Sequence, residues 1–218
     1  MIHTIELGPR DAKTRLVLAH GAGAPMTSPF LDTMAELLAE RNIAVSRFEF
    51  AYMAGRRTNG KKRPATKAEL LTGEYRSAIA QVREQISDNT RLYIGGKSLG
   101  GRVASMIAED AYKAGTISGL VCLGYPFHPP GKPETLRSAH LWDLTCPSLV
   151  VQGERDPFGN RAEVETYALA PAIRLQWLPD GDHDFGPRGA SGFTRKENLT
   201  SAADAILAFI IQLEAASD

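Results

Sequence analysis

Short apolar runs alternate along this chain with longer amphipathic stretches. Runs rich in Val, Ile and Leu fall at 15–19, 43–50, 92–95, 117–123, 148–152 and 173–178. Their length and β-branched content predict strands. Residues 2–7 alternate apolar and polar, which predicts a further strand at an edge. Helical spacing of apolar positions falls between these runs, at 29–41, 67–87, 98–114, 160–169 and 196–214. Three of these stretches carry start signals. Ser28 precedes Pro29, Thr66 stands three residues before Glu69, and Asn160 three before Glu163. Strands rich in Val, Ile and Leu separated by amphipathic helices predict an α/β fold, a mostly parallel central sheet with helices on both faces.

Two stretches fit neither pattern. Residues 51–64 include a basic run with Arg56, Arg57, Lys61, Lys62 and Arg63, and residues 125–138 hold Pro126, Pro129, Pro130 and Pro133. So many prolines exclude a helix or a central strand there. Both stretches follow strands, and loops at the carboxyl ends of strands line the ligand crevice of open α/β sheets. Both are therefore expected to be irregular loops beside a site. The basic run at 55–63 reads as a solvated loop or as a local field for an anionic ligand.

Length and composition narrow the classes. The 218 residues suit one domain, 1–218, with a substantial core, and no linker, repeat or low-complexity segment divides them. A formal net charge of zero gives no global field for nucleic acid, and no run is long enough to span a bilayer. The opening residues show no secretory pattern, so a cytoplasmic protein is expected. Cys122 and Cys146 lie in strand-like runs, as buried free thiols would, and are too few for a zinc site. No cofactor and no metal are expected. The expected partner is a small acyl substrate, with neither nucleic acid nor membrane, and the oligomeric state is open.

The chemistry centres on Gly96-Lys97-Ser98-Leu99-Gly100, which joins a strand to a helical pattern. That is the layout of a nucleophile elbow, a sharp turn with small residues two positions either side of its serine. A serine hydroxyl needs a base, and the base needs an acid to orient it. In this layout they follow in the order Ser, Asp/Glu, His. His3, His20, His128 and His140 all precede any suitable acid, leaving His183 in the loop after the last strand. Glu154 and Asp156 lie just past a strand. Asp156, which precedes Pro157, is preferred, because Glu154 can pair with a basic neighbour. An oxyanion hole needs two backbone donors. Leu99 follows the nucleophile, and Ala22, with Gly23 as second choice, lies in the small-residue loop after an early strand. His20 is expected to order that loop. Tyr52, Met53, Tyr125 and Phe158 are expected to line the substrate pocket, with Phe127 and Phe185 as further candidates.

These blocks resemble the α/β-hydrolase superfamily over nearly the whole chain. The segments LAHGAGAP (18–25), GGKSLGGR (95–102), GYPFHPPGKP (124–133), QGERDPFG (152–159) and GDHDF (181–185) are similar to its KANL/Tex-type branch of small, dienelactone-hydrolase-like bacterial proteins. The resemblance implies the α/β-hydrolase fold with no separate cap domain, and Ser98, Asp156 and His183 as a triad. It implies no substrate. Dienelactone hydrolases proper carry Cys where this chain has Ser98, which argues against a dienelactone. The expected function is a serine hydrolase acting on a carboxylic ester or related acyl compound through an acyl-enzyme. Thioester, peracid or C–C bond chemistry would use the same machinery. The alternative is a non-catalytic binding or scaffold protein of the same fold, because some eukaryotic relatives serve in chromatin complexes.

Overall fold

The computed structural model describes residues 2–60 and 64–216, without the side chains of residues 57–59. Among the described residues seven strands form one sheet: β1 Thr4–Leu7, β2 Thr14–Ala19, β3 Ala44–Phe48, β4 Arg91–Lys97, β5 Gly119–Leu123, β6 Ser148–Gly153 and β7 Ile173–Leu178. Their order is β1-β3-β2-β4-β5-β6-β7, parallel throughout except for β1, which pairs antiparallel with β3 at the edge. Among the described residues, five α-helices lie between them in the chain, α1 Pro29–Ala39, α2 Ala51–Asn59, α3 Thr72–Arg83, α4 Leu99–Lys113 and α5 Arg161–Val164, and α6 Arg195–Ala215 follows β7. This is the α/β-hydrolase architecture, with no elements set apart from the sheet as a cap among the described residues.

The apolar strands are buried on both faces because each face has its own helical layer. Successive strand side chains point to opposite sides. Leu16 and Leu18 of β2, Tyr93 of β4 and Val121 of β5 therefore pack with α1 and α6. Val17 and Ala19 of β2, Leu92 and Ile94 of β4 and Cys122 of β5 pack with α3 and α4. Full burial of such a Leu or Val stabilises the fold by roughly 1.5–3 kcal/mol. Cys122 and Cys146 are free and buried in this core.

Helix starts follow local chemistry. The Ser28 hydroxyl accepts the Leu31 N–H, with Pro29 opening α1. Asn160 and Glu163 form a reciprocal capping box, but α5 stops at Val164, short of the expected 169. Thr66 and Glu69 do not form the expected box. The chain enters α3 through a 3-10 turn at Ala68–Leu70 that no side chain caps. Thr194 and Glu197 cap α6 with a further reciprocal box. The loop expected at 51–64 is corrected over residues 51–59, which form helix α2, closed by Gly60 at a φ of 65°. Its polar composition hid the helix, although among its described side chains Met53 is buried and Tyr52 packs against the core. Lys61, Lys62, Arg63 and the Arg57 side chain lie outside the described residues. The Pro-rich stretch 125–138 is irregular, as expected. No described helix is long and apolar enough to cross a membrane.

Strand order also places the crevice. From β2 the chain moves outward to β3, then returns to lay β4 on the other side of β2. The loops leaving β2 and β4 therefore diverge, and a crevice opens between them at the carboxyl ends of the strands. The small-residue loop 20–25 and Ser98 sit there, with Ala19 beside Gly96 in register.

Candidate active site

Ser98 occupies the junction of β4 and α4 with φ 52° and ψ −113°. That region is sparsely populated for a residue with a Cβ and costs roughly 1–3 kcal/mol. The turn is held by its surroundings. The Ser98 N–H donates to Leu123 O at 3.0 Å, and Ser98 O accepts the Arg102 N–H at 3.0 Å. A Cβ on Gly96 would lie 2.5 Å from Ala19 O, and one on Gly100 would strike the backbone of Ala19 and His20. The elbow therefore needs glycine at both positions to pack α4 against β2.

The acid and the histidine come from neighbouring strand ends. Asp156, fully buried beyond β6, accepts from His183 Nδ1 at 2.8 Å and from Gln152 Nε2 at 3.1 Å on one oxygen. Its other oxygen accepts the Phe158 N–H at 2.9 Å. These donors compensate a carboxylate that burial alone would penalise. Glu154 does what its position suggested. It pairs with Arg161 at 3.0 Å and accepts the Asp180 N–H at 3.0 Å, so it braces the turn beyond β7. Asp182 accepts the N–H groups of Asp184 and Gly186 and shapes the histidine turn. The Phe158 ring packs on the His183 imidazole, with centroids 4.4 Å apart.

Three other histidines, His20, His128 and His140, are committed elsewhere. His20 is buried, with Nδ1 2.6 Å from Gly21 O and Nε2 accepting the Phe50 N–H at 3.2 Å. That pattern fixes a neutral ring, and burial lowers its pKa accordingly. It holds the 20–25 loop, as expected. His140 bonds Ser105 at 2.8 Å and His128 meets Glu163 at 3.2 Å.

Two adjoining cavities meet at Ser98, and Ala22, Ser98 and Phe158 line both. The larger, about 470 Å³, is walled by the 21–24 loop, Phe30, Lys97, His183 and Arg195. The smaller, about 290 Å³, is walled by Leu99, Pro126, Lys67, Glu69, Arg102 and Arg137. Ser98 and His183 thus face one space, although among the described residues no hydrogen bond joins them. The Ala22 N–H has no acceptor among the described residues, and Leu99 opens α4, where helix N–H groups are left free. Gly23 lines the larger cavity only.

Of the expected pocket residues, only Phe158 reaches the cavities. Met53 is corrected to a core position under α2. Tyr125 is likewise fully buried, its hydroxyl bonded to Arg137 O at 3.1 Å. Tyr52 braces the 20–25 loop, donating to Ala22 O at 3.2 Å, and lines neither cavity. Phe127 and Phe185 are buried as well. Their position in loops suggested a pocket, but large aromatics gain most by full burial.

Lys97 is the residue whose role the sequence did not disclose. It is 6% exposed, donates from Nζ to His183 O at 2.7 Å and lies 3.4 Å from Asp184. Nζ also sits 5.2 Å from the Phe30 ring centroid. Burial pulls its pKa down, opposed by Asp184 and Asp156. The available signal was a lysine closing an otherwise apolar strand. Gln152, which ties Asp156 to Tyr125 O and Gly159 O, was likewise not singled out.

Among the described residues no group of His, Cys, Asp and Glu is arranged to hold a metal. Comparison with known proteins matches residues 12–211 to the family model described as alpha/beta hydrolase domain. Among solved structures, an alpha-beta serine hydrolase homologue from Coxiella burnetii is similar at 14% identity and a TM-score of 0.70, covering 94% of this chain and 89% of that one. A lidless a/b serine hydrolase from Xanthomonas campestris is 19% identical with a TM-score of 0.66, covering 96% and 88%. A dienelactone hydrolase from Anabaena variabilis is 22% identical with a TM-score of 0.68, covering 96% and 90%. At these identities the likeness is one of fold.

Proposed function

We propose that this chain, which belongs to the alpha/beta hydrolase domain family, is a serine hydrolase that cleaves a carboxylic ester through an acyl-enzyme. The observation that carries the reading is the strained Ser98, set across one cavity from an imidazole that Asp156 holds by Nδ1. Ser98 Oγ attacks the ester carbonyl carbon while His183 Nε2 takes its proton. The charge that develops on the carbonyl oxygen is met by the N–H groups of Leu99 and Ala22. Collapse breaks the bond to the leaving alkoxide, which takes the proton from His183. Water, activated by the same imidazole, then releases the acid and restores Ser98. Asp156 keeps Nδ1 protonated and Nε2 free, so the ring begins as a base. Closure of the Ser98–His183 hydrogen bond falls in the substrate complex, since such contacts are often long before substrate binds.

A panel of short- and medium-chain 4-nitrophenyl esters tests the reading. The wild type is expected to turn over the shorter esters, with Ser98→Ala reduced to background. Hydrolysis that survives in Ser98→Ala contradicts it.

A further inference from the structure

The smaller cavity beside Ser98 has a wall that the ester chemistry does not use. Arg102, on the first turn of α4, and Arg137, from the Pro-rich stretch, both line it, with Lys67 nearby and Glu69 as the one acidic group. Arg102 donates one hydrogen bond from its guanidinium, to Glu69 at 2.7 Å, and its Nε is buried without a partner. Arg137 is fixed by its backbone. Its N–H donates to Phe127 O at 2.7 Å, and its O accepts the Tyr125 hydroxyl at 3.1 Å. Its guanidinium, by contrast, makes no hydrogen bond or ion pair among the described residues. Burial, and then the neighbouring charge of Arg102, lower the Arg137 pKa, and Arg102 acts on it more strongly than Glu69 does. Two like charges held together with unused, partly desolvated donors are stabilised when an anion enters between them.

We infer that this wall seats a carboxylate, so that the substrate is a half-ester of a short dicarboxylic acid whose free carboxylate is held by Arg137 and Arg102. The inference rests on the serine-hydrolase reading above. The carboxylate belongs to the acyl part, because His183, which must protonate the leaving alcohol, lines only the other cavity. The acyl chain then runs from Ser98 past Leu99 and Pro126 to the arginines. One negative charge fits better than two, since Glu69 already offsets Arg102. Hydrolysis consumes one water, and the products are the dicarboxylate and the alcohol.

Mono-4-nitrophenyl glutarate and its methyl-capped neutral diester differ by that one charge, and their kcat/KM values, corrected for spontaneous release, test the inference. The wild type is expected to favour the half-ester by roughly 10- to 100-fold, the scale of one or two charge-assisted hydrogen bonds. The preference should fall to about one in Arg137→Gln and stay at the wild-type ratio in Arg76→Gln, whose arginine pairs with Asp110 on the surface. Raising the ionic strength should raise KM for the half-ester alone, a readout that needs no variant to fold. Equal or better turnover of the capped ester by the wild type overturns the carboxylate seat and leaves the hydrolase reading standing. A preference that survives in folded Arg137→Gln also overturns it. Turnover of neither ester, with no labelling of Ser98 by an active-serine probe, overturns both.

Discussion

The two walls of the cleft at Ser98 are built to opposite rules. On the histidine side, the polar groups that set geometry are saturated. Asp156 accepts three hydrogen bonds, Lys97 is tied to the histidine turn, and Asp180 and Asp182 bind backbone N–H groups of that turn. On the arginine side, donors remain open, with Arg102 Nε unpartnered and the Arg137 guanidinium unbonded among the described residues. On the proposed function and the inferred carboxylate seat, the difference separates two tasks. Groups that move protons must be fixed before substrate arrives, because reorganisation during the reaction raises the barrier. Groups that recognise substrate gain selectivity by leaving capacity that only the right ligand fills.

Breaking the saturated side should cost most. Asp156→Asn leaves the packing intact but favours the wrong imidazole tautomer, and kcat on a neutral ester is expected to fall about 10³- to 10⁴-fold. A fall below tenfold would mean that the His183–Asp156 contact is structural only. The floor shared by both walls comes next. Gly100→Ala drives a Cβ into the backbone of Ala19 and His20, so a loss of about 1–3 kcal/mol is expected in chemical denaturation. Lys97→Met removes the donor to His183 O and the counter-charge of Asp184, and about a tenfold loss in kcat with little change in KM is expected. A loss confined to KM would place Lys97 on the recognition side instead.

The smallest effect concerns acid stability. Hydrogen bonds from the Arg188 side chain and backbone hold the Asp180 pKa near about 2, below its ordinary 3.8. A carboxylate with a lowered folded pKa adds stability that is full above the unfolded value and disappears as pH falls through the folded one. The stability gap between wild type and Asp180→Asn should therefore be constant above about pH 5 and close as pH falls toward 2. A gap that is independent of pH would show that the turn does not depend on this charge.

What the sequence disclosed follows from where a residue's partners lie. The strands β2 to β6 were legible because burial on both faces leaves largely apolar runs, and the edge strand β7 because Ile173, Leu175 and Trp177 alternate with Arg174 and Gln176. Ser98 and its glycines were legible because a tight turn constrains neighbours within two positions. Chain order singled out Asp156 and His183, which hydrogen-bond across 27 residues. Helix α2 was hidden by its polar surface, and Met53 and Tyr125 were misplaced because a loop position does not reveal which way an aromatic or Met side chain turns. The contacts of Lys97 and the roles inferred for Arg102 and Arg137 depend on contacts or open donors across distant segments, and no local pattern announces those.

The most direct test of the account is covalent labelling with a fluorophosphonate, read by intact mass and peptide mapping. One adduct on the wild type, mapped to Ser98 and absent from Ser98→Ala, is the predicted result. An unlabelled wild type, or an equal adduct on Ser98→Ala, would contradict it.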